Sequence, residues 1–330
     1  MKKVLVFDPS YGTLNNGDFI IKELTLKEMN PIIGKNFVVN VGTHNPIIHF
    51  YQLISKNDIL KYYKNADIKF LFGTNILKKN LNKIWTDWNV NLFNFKPYIG
   101  LVLIGAGSDG NFNKINFWTR ILYKKMLNNK YYHSVRDEST KLKLESLGLK
   151  AINTGCPTLW SLTEEHCLKI PVVKSEKVIF TLTDYNKDYE LDKLMIDILF
   201  SNYKEVYFWI QGAGDLEYLE KFENYNKIKL IGPTLSDYNQ FLNNNCTDYV
   251  GTRLHAGIYA IKAFKRSIII SIDNRASDMS KSYNLNTINR TDIIDNLECK
   301  INEEFETLIK INKENIEKWK NQFKNCEKEV

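Results

Sequence analysis

The sequence predicts an α/β protein built from two Rossmann-like domains with parallel sheets that face a cleft. The chain has 330 residues, 44% of them hydrophobic, which exceeds what one ordinary core needs and fits two domains of conventional size. Apolar runs of strand length alternate with helical patterns along the chain, as is typical of parallel sheets. The pattern restarts after residue 175, which indicates a second doubly wound sheet.

The first domain is expected over residues 1–165. An apolar run at residues 3–7 ends in a turn-rich segment, and Asn16-Gly17-Asp18 then leads into a helical pattern that continues to about residue 29. Further strands are expected at residues 37–41, 68–72, 99–104, 132–135 and 151–154, and further helices at residues 56–64, 117–127 and 138–147.

The second domain is expected over residues 166–330. Its strands are expected at residues 178–182, 205–210, 228–231, 248–250 and 267–272, and its helices at residues 191–200, 216–222, 235–242 and 256–264. A terminal helix over residues 303–325 is expected to pack back across the domains.

Composition narrows the class of protein. The net charge of +7 is spread along the chain and favours anionic substrates or a membrane surface over nucleic acid. The five cysteines include no CxxC pair, so neither a disulfide framework nor a zinc site is indicated. No apolar run has the length of a signal-peptide core or a membrane span. We expect a cytoplasmic protein and leave open a peripheral attachment to the inner face of the membrane.

The candidate site lies in the segments that follow the strands, because open α/β sheets bind ligands beyond the carboxyl ends of their strands. Four such segments carry polar residues or glycines, at residues 15–18, 105–108, 134–139 and 251–257. The predicted acceptor or cleft loops contain Asn16, Gly17, Asn75, Gly105 and Gly107.

Residues 251–257 are the most informative segment. A strand runs through Gly251-Thr252 into a helix whose first turn carries Arg253 and His255. A helix N-terminus favours an anion, Arg provides a planar cation that matches phosphate or carboxylate, and His can move a proton near neutral pH. The alternative is structural: Arg253 pairs with a neighbouring acid and His255 caps the helix.

Arg136 ends another predicted strand and is a candidate second cation. The acids that follow it favour a helix N-terminus, with Asp137 or Ser139 as the capping residue. Arg136 as a simple ion-pair partner remains the alternative. The two short Gly-Ala-Gly segments, at residues 105–107 and 212–214, lack the GxGxxG pattern and indicate tight loops more than a dinucleotide site.

Four segments resemble, in order and spacing, the polysaccharide pyruvyl transferase family. They are residues 16–18, 135–139, 251–255 and 272–276. The resemblance spans nearly the whole chain and is strongest at residues 251–257. It implies a GT-B-like fold and the transfer of pyruvate from phosphoenolpyruvate to two hydroxyls of a sugar as a cyclic ketal. We expect no cofactor. We also expect no metal, because no cluster of His, Cys, Asp or Glu has the spacing of metal ligands and arginines can neutralise the donor.

The resemblance implies that Arg136, Arg253 and His255 bind the donor, and Gly251, Thr252 and Arg275 are further candidates for donor binding. Ketal formation needs a general acid and a base. His255 is the preferred acid, with Arg253 beside it, and Asp18 is the candidate to orient or deprotonate the acceptor hydroxyl. Asp18 as the N-cap of the following helix is the alternative.

The chain departs from the family pattern at Cys156, which stands where many relatives have an acid. We expect it to be a buried packing residue and not a nucleophile.

Two other functions remain open from the sequence. One is a GT-B-like glycosyltransferase that uses a nucleotide-sugar donor, because the same Arg and His could hold a diphosphate. The other is a non-catalytic protein that binds a sugar or a phosphate. For the pyruvyl transferase, the expected acceptor is a lipid-linked or nucleotide-linked glycan intermediate of a cell-surface polysaccharide.

Overall fold

The computed structural model describes residues 1–49, 52, 58–81, 88, 90–108 and 115–324, without the side chains of residues 58 and 274–278. The chain divides into two compact units. Unit 1 comprises Met1–Thr13, Ile21–Trp160 and Asn312–Val330, and unit 2 comprises Leu14–Ile20 and Ser161–Ile311.

Unit 1 is built on a parallel sheet. In the described residues its strands are β1 (Lys3–Asp8), β2 (Phe37–Gly42), β3 (Ile68–Phe72) and β4 (Leu101–Ile104), in the order β2-β1-β3-β4. A further parallel pair, β5 (His133–Val135) and β6 (Ala151–Asn153), adjoins β4 through a bridge between Ala106 and Val135. The helices that follow these strands are α1 (Gly17–Ile33), α2 (Asp58–Lys64), α3 (Phe117–Met126) and α4 (Glu138–Ser146).

Unit 2 contains a parallel sheet of six strands in the described part of the chain. They are β7 (Lys177–Thr181), β8 (Glu205–Trp209), β9 (Lys229–Ile231), β10 (Asp248–Gly251), β11 (Ser267–Ser271) and β12 (Thr287–Asn289). Their order is β12-β11-β10-β7-β8-β9. The chain builds outward from β7 in one direction and then restarts beside it at β10, so β7 and β10 flank the switch point at which ligands of doubly wound sheets bind.

Helices connect the strands of unit 2. They are α5 (Glu164–Cys167), α6 (Tyr189–Asn202), α7 (Asp215–Leu219), α8 (Leu235–Asn244), α9 (Leu254–Lys262), α10 (Asn274–Tyr283) and α11 (Ile293–Asn302). A last helix, α12 (Lys313–Asn321), belongs to unit 1. Each unit has its own apolar core; β1 supplies Leu5 and Phe7 to one, and β7 supplies Val178 and Phe180 to the other.

The predicted strands are found, with small differences at their ends, because parallel strands buried on both faces consist of continuous apolar runs. The predicted terminal helix over residues 303–325 is wrong in extent. Helix α11 ends at Asn302, and the helix that follows it in the described residues is only Lys313–Asn321. The elements α10, β12 and α11 were not predicted from the sequence.

Residue 325 and the first residues of the predicted helix at 56–64 lie outside the described residues.

The units differ from the predicted division at 165/166 in three places. Residues 14–20 and 161–165, expected in the first domain, cluster with unit 2, and residues 312–330, expected in the second, cluster with unit 1. The backbone of Asn16 donates to the carbonyl of Gln211 at 2.9 Å, and Ala213 donates to the carbonyl of Leu14 at 3.0 Å. These bonds attach the start of α1 to the loop after β8.

Candidate active site

The switch point of unit 2 is formed by the carboxyl ends of β7 and β10. Thr181 pairs with Gly251 in this parallel register. A Cβ at Gly251 would lie 2.6 Å from the Thr181 hydroxyl, so the close approach of the strands requires glycine. The hydroxyls of Thr183 and Thr252 lie 2.8 Å apart, and Tyr249 donates its hydroxyl to the Arg253 carbonyl at 2.8 Å. These contacts therefore hold Gly251 and Thr252 in place at the end of β10.

Arg253 is the residue that joins the loops around this point. It stands immediately before α9 and is only 3% exposed. Its Nε donates to the Leu182 carbonyl at 2.8 Å, and its Nη2 binds the carboxylates of Asp184, at 2.8 Å, and of Asp215. The structural alternative for Arg253, pairing with a neighbouring acid, is what the structure shows.

The electrostatics of this cluster differ from those of an open anion site. One guanidinium faces two carboxylates, so the immediate surroundings of Arg253 do not carry a net positive charge. Burial raises the pKa of the Asp215 carboxyl, although Arg253 and the Gly212 N–H oppose this change and the Asp184 carboxylate adds to it. Among the described residues, Nη1 of Arg253 has no hydrogen-bond partner although it is buried.

The glycines at 212 and 214 have a specific function in this arrangement. A Cβ at Gly212 would overlap Nη2 of Arg253, and a Cβ at Gly214 would lie 2.6 Å from the Asp184 carboxylate. The N–H of Gly212 donates to Asp215 at 2.6 Å. The loop after β8 therefore needs both glycines to close around the buried ion pairs.

His255 is the second residue of α9 and is half-buried. The helix begins directly at the switch point, where its N–H groups and the positive end of its dipole favour an anion. Gly257, one turn on, lets α9 pack closely on the sheet, because a Cβ there would lie 2.5 Å from Ile269. His255 is therefore held in the first turn of a helix that the sheet fixes in place.

The segment with Asn16, Gly17 and Asp18 is also part of unit 2. Asn16 donates its side-chain amide to the Pro233 carbonyl at 2.5 Å and to the Gln211 carbonyl at 3.1 Å, and Asn15 accepts from Gln211 at 2.7 Å. The Asn15 side chain accepts the Gly17 N–H at 3.0 Å.

This geometry corrects two expectations for Asp18. It lies inside the first turn of α1, so it is not the residue that precedes and caps the helix. It also belongs to the same unit as His255, whereas the sequence predicted a loop of the other domain.

Arg136 lies at the carboxyl ends of the unit 1 strands, with Asn75, Gly105 and Gly107. Its guanidinium donates to the Asn75 side chain and lies 3.5 Å from the Asp137 carboxylate. A Cβ at Gly107 would overlap the guanidinium. Gly105 has a φ of +62° and packs against the ring of Pro157, which excludes larger residues. The structure thus brings these four predicted residues together within unit 1.

Other predicted residues are placed as follows. Asp137 accepts the Thr140 N–H and caps α4, which confirms one of its two predicted capping choices. Cys156 is buried and accepts the Thr158 hydroxyl at 3.1 Å, and burial raises the pKa of its thiol. Arg275 lies in α10, but its side chain is outside the described residues.

The described residues contain no group of three or more His, Cys, Asp or Glu side chains arranged to hold a metal ion. Within the same residues, no helix combines the length and the apolar character needed to cross a bilayer.

A family model of the polysaccharide pyruvyl transferases matches residues 15–274, which is well over half of the chain. The chain belongs to this family. The matched range includes the loops after β7, β8 and β10, and also Arg136. None of the curated protein sequences matches the chain.

Solved structures with a similar fold include a UDP-GlcNAc 2-epimerase, a putative UDP-GlcNAc 2-epimerase and a protein solved with UDP. The enzyme from Methanocaldococcus jannaschii has 15% identity and a TM-score of 0.56, covering 98% of this chain and 100% of its own. A putative epimerase from Listeria monocytogenes has 13% identity and a TM-score of 0.54, with coverages of 100% and 98%. MnaA of S. aureus, solved with UDP, has 11% identity and a TM-score of 0.53, with the same coverages. These likenesses confirm the predicted fold class, two Rossmann-like parallel-sheet domains of the GT-B type.

The sequence did not predict a role for Asp184 and Asp215, the two acids that pair with Arg253. Both follow strands, β7 and β8, and both stand next to residues that the sequence did single out as a glycine loop or a strand end. A systematic list of acids after strands would have contained them, but their convergence on Arg253 depends on the strand order.

Proposed function

We propose that the chain is a phosphoenolpyruvate-dependent transferase that forms a cyclic pyruvate ketal on a sugar of a cell-surface polysaccharide precursor. The observation that carries the proposal is the position of His255. His255 belongs to residues 251–257, where the resemblance to the family is strongest. It lies at the switch point of the unit 2 sheet, in the first turn of α9, whose N-terminus favours an anion. An acid group beside an anion-binding helix terminus is what transfer from this donor requires.

The proposed reaction has two steps. In the first, a general acid gives a proton to the methylene carbon of phosphoenolpyruvate, a sugar hydroxyl forms a bond to C2, and the proton of that hydroxyl goes to a base. In the second, a neighbouring hydroxyl forms the other C–O bond to C2, the bond from C2 to the phosphate oxygen breaks, and the hydroxyl proton goes to a base. The products are the ketal and inorganic phosphate.

His255 is the proposed general acid, and the N-terminus of α9 is proposed to hold an anionic group of the donor. Asp18 remains the candidate base for the acceptor hydroxyl, and it lies in unit 2 with His255. Arg136 remains a predicted donor-binding residue, as does Arg275.

For Arg253 the geometry supports a positioning role. Its bonds to Leu182, Asp184 and Asp215 connect the loops after β7 and β8 to the position immediately before α9. Because two carboxylates already neutralise its charge, we propose that it fixes the start of α9 and leaves the donor anion to the helix terminus.

We propose further that the reaction needs neither a cofactor nor a metal, because cationic side chains and a helix terminus can neutralise the donor. Turnover should then survive treatment with a chelator. Loss of turnover in chelator, with recovery on adding a divalent ion, would show that this part of the proposal is wrong.

A glycosyltransferase with a nucleotide-sugar donor is the competing function, and calorimetry separates the two. The protein should bind phosphoenolpyruvate and should bind UDP-GlcNAc more weakly or not at all. With an acceptor present, it should release inorganic phosphate and increase the acceptor mass by one ketal-linked pyruvyl group. Tight binding of UDP-GlcNAc with no heat from phosphoenolpyruvate would favour the glycosyltransferase.

A further inference from the structure

The positive charge of the protein is concentrated in one part of the sequence. Residues 68–136 contain eleven Lys and Arg against two Asp and Glu, a net charge of +9. The other residues contain 34 against 36, a net charge of −2. The excess of positive charge on the whole chain therefore comes from a segment that lies entirely in unit 1.

Helix α3 lies in this segment and has two distinct faces. Thr119, Leu122, Tyr123 and Met126 are buried against unit 1. The opposite side consists of Phe117, Trp118, Arg120, Lys124 and Lys125, all exposed, which we call the α3 face. It carries aromatic residues at its start, basic residues at its end, and no acid.

The aromatic pair at the start of α3 is unusually open to solvent. Phe117 is 68% exposed and Trp118 is 49% exposed, and their rings lie edge to face with centroids 5.5 Å apart. A lysine lies next to the start of the helix. Asn116, the N-cap of α3, donates its backbone N–H to the carbonyl of the exposed Lys79 at 2.9 Å. An apolar pair is thus bordered by cations.

The basic residues of the α3 face do not pair with acids in the described part of the chain. Lys125 lies 5.6 Å from the ring centroid of Phe95, and Arg120 donates to the Ser146 carbonyl at 3.4 Å. Phe93, two residues before Phe95, is 73% exposed. Cationic and aromatic side chains therefore occur together on both ends of the helix.

We propose that the α3 face docks unit 1 on an anionic lipid bilayer. Trp and Phe are suited to the headgroup level, where their rings contact acyl chains, and Lys and Arg beside them bind anionic headgroups. A helix with an apolar patch and a basic flank lies in the plane of such an interface. The net charge of +9 on residues 68–136 is complementary to the negative surface of an anionic bilayer, and we therefore propose a bilayer as the partner of the α3 face.

The proposal does not depend on the donor or on the chemistry at His255. It is tested with the intact protein by sedimentation with vesicles of phosphatidylcholine alone and of phosphatidylcholine with phosphatidylglycerol. Binding is expected only to the second kind, and it should weaken as salt is added. A blue shift of the fluorescence, absent in Trp118→Phe, would place that indole at the interface.

Two double variants test the two parts of the α3 face. Phe117→Ala with Trp118→Ala, and Lys124→Glu with Lys125→Glu, should each lower the partition coefficient by about tenfold or more. The matched controls are Ile294→Ala, at a position that is 70% exposed on α11, and Lys221→Glu with Lys227→Glu, which changes the net charge equally. Circular dichroism confirms that each variant is folded.

Several results would overturn the proposal. Wild-type protein that fails to bind anionic vesicles removes it outright. Equal losses in the α3 variants and in the unit 2 controls would mean adsorption by net charge without a defined surface. If only the lysine variant loses binding, the aromatic pair has no part, and another polyanion such as nucleic acid becomes the partner to test.

Discussion

Nη2 of Arg253 lies 2.8 Å from Oδ1 of Asp184 and also binds Asp215, so the most prominent cation of the sequence motif is a buried link between three loops. The sequence left open whether Arg253 binds the donor or pairs with a neighbouring acid. Because the pairing found is buried, removal of one partner leaves the others as uncompensated charges.

Arg253→Ala should therefore destabilise the fold by about 3–5 kcal/mol, as measured by urea unfolding, in addition to impairing turnover. Lys169→Ala is the control, since its ion pair with Glu165 is exposed and should contribute almost nothing. A folded Arg253→Ala protein of wild-type stability would contradict the role assigned to this ion-pair cluster.

His255→Gln should keep most of the affinity for phosphoenolpyruvate while the turnover number falls by roughly two to four orders of magnitude, the usual contribution of a positioned acid or base. His166→Gln, in α5, is the control and should leave turnover unchanged. Calorimetry and phosphate release measure the two quantities separately. Near-normal turnover in His255→Gln would reassign the acid, with Asp18 the next residue to test.

Gly107→Ala should displace the Arg136 guanidinium, because the added methyl group would overlap it. The far end of a flexible side chain can move, so we expect a loss of stability of about 1 kcal/mol or less. The affinity for phosphoenolpyruvate should fall as much as in Arg136→Ala. In the double variant the two losses should not add. Additive losses would mean that Gly107 and Arg136 act independently.

Cys156→Ala should retain turnover and lose about 1–2 kcal/mol of stability, since the thiol is a buried packing group whose pKa burial raises. Iodoacetamide should fail to label this position in the native protein and should label it after unfolding. Complete loss of turnover in a stable Cys156→Ala protein would show a chemical role.

Lys69 makes stability depend on pH in a defined direction. Its Nζ donates to the carbonyls of Pro97 at 3.0 Å and Lys64 at 3.1 Å, and burial lowers its pKa to about 8. The folded state therefore favours the neutral amine of Lys69 more than the unfolded state does. The free energy of unfolding does not change with pH through this group below the folded pKa, and it increases as pH rises from there toward the ordinary value of 10.5.

Between these limits the wild-type protein should gain roughly 1–3 kcal/mol relative to Lys69→Met, measured as the difference between their urea unfolding free energies. A difference that stays constant over this pH range would show that Lys69 is protonated normally in the fold.

The sequence predicted the strands well because most of them contain a short, continuous apolar run, such as residues 101–104. It failed at α10, whose sequence is mostly polar, and at β12, which has only three residues. Short and polar elements are formed by the sheet that they pack against, and a local pattern does not reveal that.

The site was predictable one strand at a time. Strand ends at Gly251 and Val135 located Arg253 and Arg136, and both residues follow those strands, although Arg253 stands before α9 and not in its first turn. The partners of Arg253 were not predictable, because Asp184 and Asp215 are 69 and 38 positions away. Their approach depends on β7 lying beside β10, which is a property of strand order.

Residues 14–20 belong to unit 2, while the chain on either side of them belongs to unit 1, so neither unit is a single stretch of the gene. A fragment encoding residues 161–311 would lack the amide donors that Asn16 gives to Gln211 and Pro233. Exchange of this unit between relatives, as in a chimera built to change specificity, must therefore transfer two gene segments together. The short segment supplies hydrogen bonds to the loop after β8 that the longer segment alone would lack.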